Sequence, residues 1–122
     1  MEKLLAFFEI PAADFSRAVK FYEAVLQLEL AVSECETEKM ALFPAGEGET
    51  SGAISWAEGF EPSTKGVLIH FRVEDISDTI TRIEKHGGKT IRPKTKIECE
   101  NMGYFAMFED CEGNTIGLYA DK

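Results

Sequence analysis

The feature that most constrains the fold of this chain is an internal repeat with an offset of 61 residues. Residues 5–14 form an apolar, strand-like segment that ends in an aspartate, and residues 66–75 have the same pattern. A helical pattern follows each segment. A repeated unit of this size predicts two similar modules that pack against each other. With 122 residues, the chain is long enough for one compact domain that contains both.

Each of the two helical segments begins at an aspartate and has one apolar stripe. Asp14 and Asp75 are expected to be N-cap residues, whose side-chain oxygens accept hydrogen bonds from the open N–H groups of the first turn. Spacings of three and four between apolar residues predict amphipathic helices. The stripes comprise Phe15, Ala18, Val19, Tyr22, Val25 and Leu26 in the first helix and Ile76, Ile80 and Ile83 in the second.

Three strand-like segments follow each helix, so each half of the chain is predicted to be a βαβββ module. The first module spans about residues 1–58, a linker spans about 59–65, and the second module spans about 66–122. The predicted strands after the helices lie near residues 28–34, 38–43, 52–56, 89–93, 104–109 and 115–120.

The predicted fold class is therefore α+β, with two tandem modules in a single domain. One helix covers only one face of a small sheet, so the other face of each sheet needs a partner. We expect the modules to pair their sheets into a partly closed, barrel-like cavity that admits a small ligand. The linker permits this cavity to form within one chain or between modules of two chains.

Charge and composition exclude several classes of partner and predict a cytoplasmic location. The net charge of −9 disfavours nucleic acid and anionic membranes, since both repel an acidic surface. No apolar run is long enough to span a bilayer, and Glu9 interrupts the apolar N-terminal stretch too early for a secretory signal. Three widely separated cysteines, Cys35, Cys99 and Cys111, indicate free thiols in a reducing compartment.

Strand alternation indicates which side chains point away from the helices. If Ile10 and Phe71 pack against the helices, then Glu9 and His70 point the other way, toward the expected cavity. They occupy equivalent positions in the two modules and could act as an acid–base pair, because a histidine side chain changes its protonation state near neutral pH. The alternatives, which occur more often for such pairs, are that Glu9 and His70 form a structural ion pair or lie at a solvated cavity mouth. Arg72 could hold a ligand carboxylate or pair with a surface acid.

The order of several segments resembles the vicinal oxygen chelate superfamily, which includes glyoxalase I, bleomycin-resistance proteins, extradiol dioxygenases and fosfomycin-resistance enzymes. The resemblance covers essentially the whole chain. Within the superfamily, the segments look most similar to the small glyoxalase-like members. The segments that carry it are Phe8-Glu9-Ile10-Pro11 followed by Asp14, then residues 17–23 (RAVKFYE), 71–75 (FRVED), 87–89 (GGK) and 108–118 (FEDCEGNTIGL).

The resemblance implies four metal-ligand positions, which this sequence fills with residues that coordinate poorly. Counting from the N-cap aspartates and along the last hairpins places them at Phe7, Ser55, Leu68 and Gly117. A serine hydroxyl is a weak donor for a divalent ion, and the other three side chains offer none. We therefore expect no metal and no other cofactor, and we assign these four positions, with Arg72, to ligand binding.

Two functions remain open from the sequence. The first is stoichiometric binding of a small organic molecule, as in the bleomycin-resistance proteins that the chain resembles. The second is a metal-independent lyase or isomerase that uses Glu9 and His70. Loss of the ligand positions favours binding, because it removes the family's metal-assisted chemistry and leaves the cavity. The resemblance also implies a homodimer.

Overall fold

The computed structural model describes residues 4–99 and 101–122 and contains two copies of a βαβββ module. This confirms the predicted α+β fold class. The first module consists of β1 (Phe7–Pro11), α1 (Phe15–Leu26), β2 (Ala31–Glu34), β3 (Glu38–Leu42) and β4 (Ser51–Ala57). The second consists of β5 (His70–Arg72), α2 (Ile76–Lys85), β6 (Lys89–Lys96), β7 (Tyr104–Glu109) and β8 (Thr115–Ala120).

The two modules have the same sheet topology. The first sheet has the order β1-β4-β3-β2, and the second has the equivalent order β5-β8-β7-β6. In each sheet the first strand pairs in parallel with the last, and the remaining pairs are antiparallel. Strands β1 and β5 are consequently edge strands that occupy equivalent places.

Two strands are shorter than the sequence predicts, for identifiable reasons. Strand β2 begins at Ala31 because residues 28–30 complete the end of α1: the Leu28 N–H donates to the Glu23 carbonyl (3.2 Å), and the Leu30 N–H donates to the Glu23 carboxylate (2.9 Å). Strand β5 is limited to three residues, which pair only with β8. Leu68, expected on this strand, lies before it.

Strand β6 is longer than predicted, and it is irregular. Its pairing with β7 shifts register between Thr90 and Arg92 and again between Arg92 and Thr95. Pro93 lies within the second shift, where a missing N–H costs no ladder hydrogen bond. Because β6 is the outer strand of its sheet, these irregularities do not interrupt the pairing of inner strands.

Both predicted helix caps are present. The Asp14 carboxylate accepts a hydrogen bond from the Arg17 N–H (3.1 Å), and the Asp75 carboxylate accepts one from the Asp78 N–H (3.0 Å). After α2, Gly87 adopts a left-handed conformation (φ 99°), which a glycine takes without strain at the end of a helix. The aspartates therefore fix where each helix starts.

The core differs from the predicted stripes at Phe21 and Thr79. Phe21 is 2% exposed and packs against Phe108 of the second module, with ring centroids 6.3 Å apart. Its spacing of three from Ala18 and four from Val25 fits the helical period, so Phe21 widens the predicted apolar stripe toward the second module. Thr79 is also buried. Its hydroxyl donates to the Asp75 carbonyl (2.8 Å), so burial leaves no unsatisfied polar group on this side chain.

The modules meet through their helix-bearing sides. Helices α1 and α2 contact each other, and the Arg82 guanidinium of α2 donates to the Val25 carbonyl near the end of α1 (2.9 Å). The Tyr22 ring packs 6.0 Å from the Phe71 ring of the other module. The two sheets are therefore not closed into a barrel within the chain. No described helix is both long and apolar enough to cross a bilayer.

Candidate functional site

The face of each sheet that carries no helix is called its open face. The register places Glu9 of β1 beside Ala53 of β4, on the open face of the first sheet, while Ile10 is 3% exposed on the helix side. The open face of the second sheet carries His70 and Arg72 of β5. The predicted side-chain directions of the two edge strands are consistent with this burial pattern.

Glu9 is held by the neighbouring strand. Its carboxylate Oε1 accepts a hydrogen bond from the Ser55 hydroxyl, with the oxygens 2.7 Å apart. Ser55 is 3% exposed, whereas Glu9 is exposed. A buried hydroxyl that donates to an exposed carboxylate fixes one oxygen and leaves the other available to a ligand. Ser55 thus orients Glu9 on the open face.

His70 lies over Gly117 of β8. A Cβ atom at residue 117 would come within 2.6 Å of the His70 Nε2 atom, so the ring occupies the space that any larger residue there would need. The ring also makes an edge contact with Phe105, with centroids 6.5 Å apart. Partial burial lowers the pKa of His70, because it disfavours the charged ring. A neutral imidazole can accept a proton or a hydrogen bond at neutral pH.

Glu9 and His70 are not joined to each other. Within the described chain, no hydrogen bond or ion pair links their side chains. Glu9 lines a cavity of about 610 Å³ beneath the linker, and His70 lines a larger cavity of about 960 Å³ near the start of α2. The acid–base pair therefore stays a prediction that requires a ligand or a second chain to connect the two groups.

Arg72 has a carboxylate partner. Its guanidinium Nη1 donates to both carboxylate oxygens of Asp121 at 3.1 Å and lies over the Tyr119 ring, 5.0 Å from its centroid. Both ends of the ion pair are exposed, so it contributes little to stability, and a ligand carboxylate can replace Asp121 at small cost. The contact matches the surface-acid alternative and leaves the ligand-binding alternative open.

The apolar positions assigned to ligand binding are accessible. Phe7 is 54% exposed on the first open face, and Leu68 is 36% exposed and lines the smaller cavity with Glu9. Exposed phenylalanine and leucine side chains favour contact with an apolar ligand or a second chain. Phe7 and Leu68 therefore remain candidates for such contacts.

The residues at the four implied ligand positions do not fit a divalent ion. Phe7 and Leu68 have no donor atom, Gly117 has no side chain, and the Ser55 hydroxyl is used by Glu9. Among residues 4–99 and 101–122, no group of three or more histidine, cysteine, aspartate or glutamate side chains lies close enough together to hold a metal ion. The side chains at the four implied positions therefore do not form a set of donors suited to a divalent ion.

Sequence reasoning missed a polar clamp between the modules. The hairpin between β7 and β8 inserts Glu112 at the start of α1, where its Oε1 accepts from the Ala13 and Asp14 N–H groups (2.8 and 2.7 Å). Its Oε2 accepts from Arg17 Nε (2.6 Å). A carboxylate at a helix N-terminus is stabilised by open N–H groups and the helix dipole. The residues Glu112-Gly113-Asn114 by themselves indicate only a hairpin turn between two strands.

A second set of hydrogen bonds fixes the same hairpin. The Tyr22 hydroxyl of α1 donates to the buried Asp110 carboxylate (2.6 Å), and the Asn114 amide donates to that carboxylate (3.0 Å) and to the Pro11 carbonyl (2.8 Å). Burial first, and then the Asp110 charge, raise the pKa of Tyr22 well above its ordinary value. The hairpin therefore fixes how the two modules are oriented.

Comparison with known proteins identifies the same family as the sequence motifs. A family model for the Glyoxalase/Bleomycin resistance protein/Dioxygenase superfamily matches residues 4–118. A glyoxylase-like domain-containing protein of Didymella fabae is 31% identical over 115 residues, which are 90% of this chain and 88% of the relative.

Solved structures share the fold at lower identity. A glyoxylase/bleomycin resistance protein/dioxygenase domain from Frankia sp. EAN1pec superposes with a TM-score of 0.74 at 15% identity, with 100% of each chain covered. TnmS3, an antibiotic binding protein from Streptomyces sp. CB03234, gives a TM-score of 0.72 at 21% identity, covering 99% of this chain and 98% of the other.

Proposed function

The chain belongs to the Glyoxalase/Bleomycin resistance protein/Dioxygenase superfamily, and from this premise we propose that it binds a small organic molecule on its open sheet faces without a resident metal ion. The observation that carries this proposal is the placement of Glu9 and His70. They lie at equivalent positions on the two open faces, exposed, while the helix-bearing faces are filled by the core.

The donor set supports binding rather than metal-assisted chemistry. Glu9 has one oxygen fixed by Ser55, and His70 offers a neutral imidazole, so the two faces provide an acceptor and a proton-accepting nitrogen. At the positions where the resemblance implies metal ligands, Phe7, Leu68 and Gly117 supply no side-chain donor, and the Ser55 hydroxyl is a weak one. The antibiotic binding protein TnmS3 has the same fold, which is compatible with a ligand at this place.

We propose that a second copy of the chain completes the site. Because the modules meet through their helix-bearing sides, the two open faces do not close over a ligand within one chain. A homodimer could oppose the first open face of one copy to the second open face of the other, which brings Glu9 toward His70. Exposed Phe7 and Leu42 on the first open face support such an interface. The location that composition predicts for this homodimer is the cytoplasm.

The alternative is a metal-independent lyase or isomerase. The lowered pKa of His70 favours it, because a neutral imidazole can remove a proton from a bound substrate at neutral pH. In this alternative Glu9 would be the acid partner across the site. Binding is preferred because Glu9 and His70 are not connected within one chain.

A thermal-shift screen tests both functions. Neutral, cationic and anionic small molecules are screened with and without Zn²⁺, Ni²⁺ or Mn²⁺, and each hit is analysed for turnover. Binding predicts a rise in Tm of about 5 °C or more at saturation, with the ligand recovered intact. Catalysis predicts turnover that H70A removes and H86A retains, since His86 lies at the exposed end of α2.

Three outcomes contradict the proposal. Stabilisation by a metal ion alone that E9Q abolishes would show that the open faces hold a metal. Failure of every small molecule to raise Tm would remove the binding function. Sedimentation that shows only monomer at micromolar concentration would remove the second copy from the site.

A further inference from the structure

We propose that the second open face selects a planar organic anion, such as an aromatic or conjugated carboxylate. This inference rests on the proposed function, because it names the class of ligand that the site takes. The residues that carry it form what we call the basic-aromatic patch: His70, Arg72, Arg92, Phe105 and Tyr119.

The sheet register brings these five residues to one face. Arg72 is opposite Tyr119, and Tyr119 is opposite Phe105. One row across the sheet therefore contains a guanidinium followed by two aromatic rings. The next row begins with His70, opposite Gly117, and reaches Arg92 through Met107. Neighbouring rows on one face lie within reach of a single small molecule.

The two guanidinium groups lie on aromatic rings. The Arg92 guanidinium lies 5.5 Å from the centroid of the Phe105 ring, and that of Arg72 lies 5.0 Å from the centroid of the Tyr119 ring. A guanidinium over a ring keeps N–H groups free to donate to a carboxylate in a bidentate arrangement. A ring beside it offers a surface on which the ligand's conjugated body can pack.

The charge around this patch is opposite to that of the whole protein. The chain carries a net charge of −9, yet strand β6 contains three lysines and Arg92 and no acidic residue. On the open face, Glu109 lies opposite Lys89 in the register, and Asp121 pairs with Arg72. Arg92 has no carboxylate partner among the described residues and is exposed. A ligand anion would supply that partner.

The lysines of β6 have a separate explanation. Positive side chains on an outer strand prevent it from pairing with other chains. Lys94 and Lys96 both lie over the Tyr104 ring, at 4.7 and 5.6 Å from its centroid, and Tyr104 alternates with the open-face residue Phe105. Arg92 differs because it shares the open face with Phe105. Lys94 is therefore a matched control: the same strand and charge, but outside the patch.

The test uses defined probes rather than an unidentified ligand. Binding of 1-naphthoate is measured by calorimetry and by amide chemical shifts in NMR spectra, with 1-naphthamide, 1-naphthylmethylamine and cyclohexanecarboxylate as comparators. We expect saturable shifts of the Gly117 and Phe105 amides with 1-naphthoate. We also expect affinity at least about tenfold weaker for the neutral amide, for the cation and for the non-planar acid.

Four variants localise the effect. R92Q should weaken 1-naphthoate binding by about tenfold, R92K should recover part of the loss, and K94Q should change it by less than about twofold. D121N should strengthen binding by about threefold, because it removes the carboxylate that competes for Arg72. Wild-type Tm and dispersed NMR spectra establish that each variant is folded.

The outcomes separate this inference from the proposed function. Equal affinity for the naphthyl amide or amine, or equal losses in R92Q and K94Q, would overturn the anion preference while small-molecule binding stands. Equal affinity for cyclohexanecarboxylate would overturn the requirement for a planar ligand. Loss of the dimer in R92Q without any probe binding would show that a second copy's carboxylates cover the patch, which also overturns the inference.

Discussion

The imidazole of His70 lies directly over Gly117, in the space that a side chain at residue 117 would fill. The absence of a side chain at residue 117 of β8 thus leaves the space that the His70 ring occupies on the open face. The two residues are opposite each other in the parallel pairing of β5 and β8. Residue 117 is also the position at which the family resemblance implies an acidic metal ligand.

The G117A substitution should displace His70. The new Cβ atom would overlap the ring, and crowding of a packed position costs roughly 1–3 kcal/mol of unfolding free energy. Urea denaturation measures this cost, and the H70A/G117A double variant should recover most of it, because the overlap disappears. Equal destabilisation by G117A in the presence and absence of the His70 ring would show that the strain lies in the backbone.

His70 should titrate below pH 6.5 in the folded protein, because partial burial lowers its pKa. The unfolded chain then binds the proton at a higher pH than the folded chain. The stability linked to His70 is therefore complete above its unfolded pKa and is lost as the pH falls through its folded pKa. NMR titration of the ring protons measures the midpoint, and H70Q should remove this part of the pH dependence of Tm. A midpoint above 6.5 would contradict the burial argument.

Removing the Glu112 clamp should loosen the contact between the modules. E112A leaves the Ala13 and Asp14 N–H groups and Arg17 without their acceptor, which should cost roughly 2–4 kcal/mol in urea denaturation. Most of the loss comes from the N–H groups, since Arg17 is half-exposed. E29A, at an exposed glutamate with no hydrogen-bond partner in the described chain, is the control and should change stability by less than about 0.5 kcal/mol.

Cys111 should be the least reactive thiol of the native protein. Burial, followed by the charge of Glu112, raises its pKa to about 12, so only roughly one molecule in ten thousand carries the thiolate at pH 8. Cys35 and Cys99 are exposed. Mass spectrometry after brief iodoacetamide treatment should find those two alkylated first, with Cys111 reacting only in urea. Comparable alkylation of all three in the native state would refute this.

Much of the fold follows from local sequence signals. Asp14 and Asp75 cap the two helices because an N-cap requires only a short side-chain acceptor and an open turn. Gly87 ends α2 because a left-handed residue is needed there. Strands β7 and β8 have the predicted bounds because each is an alternating segment between clear turns. The expected direction of Glu9 and His70 followed from the same alternation.

Signals that depend on long-range partners were not predictable in the same way. The bounds of β2 and β6 shifted because Glu23 binds the residues after α1 and because Pro93 lies at a register shift in an outer strand. Phe21 packs against Phe108, which belongs to the second module. Periodicity indicates which face of a segment packs against its own sheet. It carries no information about contacts with more distant segments, such as those of Glu23 and Phe21.

The sequence by itself determined two βαβββ modules, their helix caps and the faces of their edge strands. The assignment of four positions to lost metal ligands stays a prediction from the family resemblance. Only the tertiary structure decided that the modules meet through their helices. It also decided that the Glu112 carboxylate binds the N-terminus of α1 at Asp14, 98 residues earlier in the chain, and that Arg72 pairs with Asp121. The physical reason is that caps and strand alternation depend on neighbours within a few residues. The orientation of two modules depends on contacts between distant segments, which no local pattern specifies.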